Sequence, residues 1–123
     1  MTMKRIHLEL ARSHEFPGGS RERGYDFVAP LDDAGHLLAD EWRQVRKLCR
    51  VRRFWHGEPD EHGLLVHKRG GTWAFDYNPE SEADDEPGFK FDRHHFVPGE
   101  YVSITEHDGI QRTFRVASVL DLG

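Results

Sequence analysis

The segment Gly63-Leu-Leu-Val-His-Lys-Arg-Gly-Gly-Thr-Trp-Ala-Phe-Asp-Tyr-Asn78 decides the fold. Leu64 and Val66 on one side, and Trp73, Phe75 and Tyr77 on the other, repeat with the two-residue period of a strand that buries one face. Lys68-Arg-Gly-Gly71 between them carries the glycines a tight turn needs, so the segment reads as a β-hairpin. The same period recurs on both sides of it. Upstream, Ile6, Leu8 and Leu10 alternate with His7 and Glu9, and Tyr25, Phe27 and Ala29 alternate with Asp26 and Val28. His14 to Gly24, with one Pro and three Gly among charges, reads as the loop between them, and Asp32 to Gly35 as a turn.

A helix is expected from Asp40, as N-cap, through Leu48, with acids first and bases last in accord with the helix dipole. Its face of Trp42, Val45 and Cys49 should pack on the sheet. Val51, Phe54 and Trp55 favour extended chain, and the turn-rich Gly57 to Gly63 ends it. Downstream, Asn78 to Gly88 holds five acids and two prolines and is expected to be a mobile acidic surface loop. Phe89 and Phe91 resume the pattern. Tyr101 to Thr105 and Thr113 to Val119 then form a second hairpin around His107-Asp108-Gly109. Seven or so short strands and one short helix predict a mainly β (α+β) fold. A strongly twisted antiparallel sheet or small β-barrel, built as a single domain over 1–123, satisfies that pattern.

Composition narrows the function classes. The chain of 123 residues has 17 Lys+Arg, 22 Asp+Glu and a net charge of −5. Leu, Ile, Val and Phe make up about 24%, enough apolar side chain for a folded core. No apolar run reaches the roughly 20 residues of a membrane span, and the first ten residues contain no secretory h-region. Those two features set the expectation of a cytoplasmic protein with no membrane contact. The single Cys, Cys49, allows no internal disulfide and no thiolate zinc site. On the Trp42–Val45 face it is expected to be a buried small hydrophobe rather than a nucleophile.

Nine histidines are the most unusual feature. His56 and His62 flank the acidic Glu58-Pro-Asp-Glu61, a loop able to fold two imidazoles and a carboxylate onto a divalent transition metal such as zinc. His94 or its neighbour His95 would supply a third ligand. Adjacent His94 and His95 point to opposite faces of an extended segment, so one of them at most can join such a site. No H-E-x-x-H or C-x-x-C pattern accompanies them, and the first expectation is therefore no cofactor.

Arg43 to Arg53 carries six Lys or Arg, followed at once by Phe54 and Trp55. Bases beside aromatics are what single-stranded nucleic acid requires, here through Arg46, Arg50 and Arg52. The net negative charge argues against that reading, because six acids between Asp76 and Glu86 suffice to neutralise the six bases internally. Alternation puts Arg50 and Arg52 on one face and Val51, Arg53 and Trp55 on the other. A buried Arg53 needs a carboxylate, and Arg50, Arg52 and Arg53 are the candidate anion-binding residues. Phe16 to Gly24 has glycines and arginines suited to an anion but lacks phosphate-loop spacing, and reads as a connecting loop.

Gly24-Tyr-Asp-Phe-Val-Ala-Pro-Leu-Asp32, Cys49-Arg-Val-Arg-Arg-Phe-Trp55 and Pro98-Gly-Glu-Tyr-Val-Ser-Ile104 together resemble a family of small bacterial proteins with no assigned function. The resemblance spans nearly the whole chain and implies a bacterial, cytosolic origin. It brings no catalytic residues. The sequence thus points to a binding or interaction module without catalytic activity, with a protein or small ligand as partner. The metal site is the alternative, and exposed strand edges leave room for a homodimer.

Overall fold

The computed structural model describes residues 3–68, 72–77, 88–91, 95–106 and 108–122, with residues 88–91 described by their backbone. Among the described residues eight antiparallel strands follow one another in chain order: β1 (Met3–Leu10), β2 (Ser20–Pro30), β3 (Arg50–Trp55), β4 (Glu58–His67), β5 (Trp73–Asp76), β6 (Gly88–Phe91), β7 (Tyr101–Thr105) and β8 (Gln111–Asp121). Each pairs with the next, and β1 pairs with β8, so the curled sheet closes into a small barrel. Among the described residues β6 and β7 are joined through Lys90 and Thr105. The expected mainly β fold with one short helix is what the chain adopts.

Alternation is the cause of closure. Ile6, Leu8, Tyr25, Phe27, Phe75, Val102, Ile104, Phe114 and Val116 all turn inward and are buried. Tyr25 lies 5.2 Å from the Phe75 ring and 5.1 Å from Phe114, while Phe27 meets Phe75 at 5.1 Å and Phe96 at 5.4 Å. Burying each such ring is worth about 2 to 3 kcal/mol, and this aromatic chain fills the barrel.

Four local expectations change. Leu65, rather than Leu64 and Val66, points into the barrel, because three successive apolar residues fit either parity and the Leu65↔Phe75 pair selects one. Strand β2 starts at Ser20 and not at Tyr25. Its pairing with β1 jumps from Leu10↔Ser20 to Glu9↔Gly24, which bulges Arg21 to Arg23 away from β1. Gly24 is needed where pairing resumes, since a Cβ there would stand 1.9 Å from the Leu8 carbonyl oxygen. The Gly57–Gly63 loop shrinks to a turn at His56 and Gly57, with Gly57 at φ 86°, and Pro59 to Gly63 belong to β4.

The helix α1 (Ala39–Val45) has Leu38 as N-cap, not Asp40. The Leu38 N–H donates to the Pro30 carbonyl at 3.1 Å, which fixes the chain's entry two residues early and leaves Asp40 in the first turn, paired with Arg43. Val45 departs from helical geometry, and Arg46–Leu48 continue as a 3₁₀ turn. The expected face holds: Trp42 and Cys49 are buried, Val45 packs on the core, and the Trp42 Nε1–H donates to the Leu65 carbonyl at 2.9 Å.

Candidate functional site

Arginines occupy three settings on this barrel. The first is the barrel end formed by the β1–β2, β3–β4 and β7–β8 connections. Arg53, on the inward parity of β3, is 4% exposed and donates through Nε to Glu106 at 3.2 Å and through Nη1 to Glu58 at 3.4 Å. Buried Glu106 also accepts from the Tyr25 hydroxyl at 2.5 Å and from Arg112 Nη1 at 2.6 Å. Arg112 continues to Glu15 and Asp108, at 3.0 and 3.1 Å. The Trp55 ring lies 4.3 Å from the Arg53 guanidinium and 5.4 Å from that of Arg112, a cation–π arrangement that shields both charges from water.

Burial, reinforced by the charge of Glu106, pushes the Tyr25 hydroxyl well above its usual range. Burial opposes the charge on Arg53, but Glu106 outweighs it and holds the guanidinium firmly protonated. Hydrogen bonds to Glu15 and then to Glu106 do the same for Arg112. The sequence required a carboxylate for Arg53, and Glu106, 53 residues away, supplies it. This cluster locks the loops of one barrel end together.

The second setting is the outer face of the barrel. Strand alternation aims Arg115 (β8), His7 and Glu9 (β1), Asp26 (β2), Arg52 (β3) and Asp60 (β4) outward, and they form one line of contacts across five strands. Asp60 meets Arg52 at 3.1 Å, Arg52 meets Asp26 at 2.5 Å, and Asp26 meets His7 Nδ1 at 2.6 Å. His7 Nε2 then meets Glu9 at 3.2 Å, and Glu9 meets Arg115 at 3.7 Å. Phe54 stacks on His7 at 5.5 Å with the Arg52 guanidinium 4.9 Å from its ring. Among the described residues Arg52 pairs with Asp26 and Asp60, and Arg53 with Glu58 and Glu106; of the acids that composition suggested for the basic segment, those between 78 and 87 lie outside the described residues. Arg50, exposed on this face, has no carboxylate at ion-pair distance among the described residues.

The third setting is an open cleft of about 740 Å³ between the Gly18–Arg21 segment and the ends of β1, β7 and β8. Arg12, Arg21 and Arg115 line it with Ser20, Thr113 and Tyr101, whose side chain is 58% exposed. Glu9, already shared with His7 and Arg115, is the carboxylate of its lining. Arg12 and Arg21 have no acidic partner among the described residues. The β2 bulge, which leaves Arg21 without a partner on β1, borders this cleft. Sequence reading noted the arginines beside these glycines, Arg21 and Arg23, but took the segment for a connecting loop and missed Arg12, Tyr101 and Arg115. Alternation around Phe114 and Val116 already aims Thr113 and Arg115 outward. Joining them to the glycine loop needed the β1–β8 pairing, which spans the whole chain.

The histidine candidates separate. His56, in the two-residue turn, pairs with Glu22 at 3.0 Å, whereas His62 sits within β4 opposite Arg52. The segment expected to fold them together runs as β4 from Glu58 onward, so His62 lies inside the strand and His56 in the turn before it. His94 and the Asn78–Pro87 stretch of the acidic loop lie outside the described residues. Among the described residues no three His, Cys, Asp or Glu side chains are grouped to hold a metal ion. Cys49 is buried, and burial raises its thiol to about 11, so the thiolate is suppressed at neutral pH.

No protein-family model matches the chain, and comparison with curated proteins and with solved structures finds no match. Among the described residues no helix is long and apolar enough to cross a membrane.

Proposed function

We propose that the chain is a binding module for a small anionic ligand, seated in the cleft between the Gly18–Arg21 segment and β7–β8, and that it does no chemistry on that ligand. The observation that carries the reading is the pair Arg12 and Arg21. Their charges have no internal counterpart among the described residues and flank a cleft of ligand size. Two guanidinium groups recognise phosphate or carboxylate oxygens in bidentate fashion. Ser20 and Thr113 add hydroxyl donors, and the exposed Tyr101 ring offers a flat surface to an aromatic portion of the ligand. The lining lacks a nucleophile paired with a base, which supports binding rather than turnover. A cytoplasmic setting belongs to the same proposal, supported by the lone, buried Cys49.

Calorimetric titration with adenosine monophosphate and with inorganic pyrophosphate tests this reading. Saturable binding of at least one is expected, weakened about tenfold or more when Arg12 and Arg21 are both changed to Glu. Binding that the double change leaves intact, or none for either probe up to millimolar concentration, removes the cleft as the site.

A further inference from the structure

We infer that the outer face of β8, β1, β2, β3 and β4 takes a single-stranded nucleic acid, whose phosphates run from the Arg12–Arg21 cleft to a second cleft across the same face. The inference rests on the anionic-ligand reading and extends it from a small molecule to a polyanion.

The second cleft, of about 370 Å³, is lined by Arg5, Arg50, Arg52 and His62 together with Asp26, whose carboxylate is taken up by Arg52 and His7, and with Leu48 and Val28. Arg5 and Arg50 are exposed and, like Arg12 and Arg21, have no acidic partner among the described residues. Both clefts open on one face, because Arg115, Glu9, Arg5, Asp26, Arg50 and Arg52 share the outward parity. Between them the contact line from Asp60 to Arg115 nearly cancels its own charge. What remains is four uncompensated arginines, two at each end, on a chain whose net charge is −5. The charge is therefore segregated, and net charge does not describe what this face presents to a ligand.

Span decides between one small anion and a strand. Arg5 and Glu9 are four residues apart on β1, about 13 Å, and β8 to β3 is three strand spacings, about 14 Å. The clefts thus stand roughly 20 Å apart, beyond the reach of a mononucleotide but within that of several linked nucleotides. Tyr101 at the first cleft is an exposed ring on which a base can stack, whereas an acidic peptide would leave it unused. A convex sheet face carries no helix to enter a duplex groove, which favours single strands.

Fluorescence anisotropy with labelled oligothymidylates of three and twelve nucleotides tests the inference, with adenosine monophosphate and a twelve-residue polyglutamate as companions. The twelve-mer is expected to bind at least tenfold more tightly than the three-mer. The Arg5→Glu/Arg50→Glu variant should weaken the twelve-mer about tenfold and reduce the log–log salt slope by about 1.4, while leaving adenosine monophosphate affinity unchanged. The Arg12→Glu/Arg21→Glu variant should weaken both. Equal affinity for the two lengths, or a twelve-mer indifferent to the Arg5/Arg50 change, overturns the bridging strand while the small-anion reading stands. If adenosine monophosphate and pyrophosphate also fail to bind, that reading falls too. Polyglutamate binding as tight as the twelve-mer would replace nucleic acid with an acidic protein segment. Circular dichroism of both variants confirms that the comparison is made on folded barrels.

Discussion

The barrel end and the outer face are built from the same residue types in the same alternating order of charge, yet they do opposite jobs. At the end, Arg53 and Arg112 converge on Glu106, whose side chain is fully buried and which also holds the Tyr25 hydroxyl. On the outer face, Arg52, Asp26, His7 and Glu9 meet at comparable distances but remain 19 to 43% exposed. Coulomb attraction in water is a fraction of what it is in a low-dielectric interior, so equal geometry gives unequal energy. The lesson concerns availability. A buried charge must be answered inside the molecule, whereas an exposed one can stay unanswered, and the unanswered arginines are therefore found outside.

The largest effect should follow from removing the hub of the buried cluster. Glu106→Ala leaves Arg53, Arg112 and the Tyr25 hydroxyl without their shared acceptor, and is expected to cost about 3 to 5 kcal/mol in denaturant unfolding. Glu106→Gln keeps the shape and loses the charge, and should recover only a minor part of that loss. Added salt should barely change either value, because the site is closed to counterions. A loss below about 1 kcal/mol for Glu106→Ala would show that the two regions do not differ as described.

The matching change on the outer face is Asp26→Asn, which weakens two contacts at once, to His7 and to Arg52. Its expected cost is about 1 kcal/mol at low ionic strength, shrinking clearly as salt approaches molar concentration. The contrast in salt response, more than in size, separates the regions. Equal salt sensitivity for Glu106→Ala and Asp26→Asn would erase the distinction.

Much of this division is legible in the sequence. A two-residue period places Arg53 inward and Arg50 and Arg52 outward, and the demand of a buried guanidinium for a carboxylate is a matter of chemistry alone. The period cannot say which carboxylate answers. Glu106 follows β7, and it reaches Arg53 only because the barrel closes through the β1–β8 pairing and brings both to one end. Leu64-Leu65-Val66 shows the same limit, since its parity is settled by the partner Phe75 and not by its own pattern. The glycines at 18 and 19 read as a plain connection because their β1 and β8 neighbours are distant in sequence. The acids next to them in space, unlike those next to them in the chain, decide which arginines stay free.

The smallest effect sharpens the boundary between the two regions, at Glu15. This carboxylate lies in water at the rim of the buried cluster, where the hydrogen bond from Arg112 holds it below its ordinary value of 4.5. A carboxyl lowered by folding contributes stability that is fully present above its unfolded value and is lost as pH falls through its folded one. Glu15→Gln removes that contribution. Its unfolding free energy should therefore sit slightly below that of the parent at neutral pH, and the two curves should converge below the folded value, where Glu15 is protonated in either state. Asp32 is lowered too, by backbone N–H donors from His36 and Ala34, and is untouched by this change, so an acid-side slope should persist in the variant. Denaturant unfolding at half-unit intervals from pH 2.5 to 7 measures the gap. A gap that stays constant down to pH 2.5 would mean that Glu15 acts on the Arg112 side chain by packing and not by charge, and would place the rim with the buried cluster rather than with the solvated face.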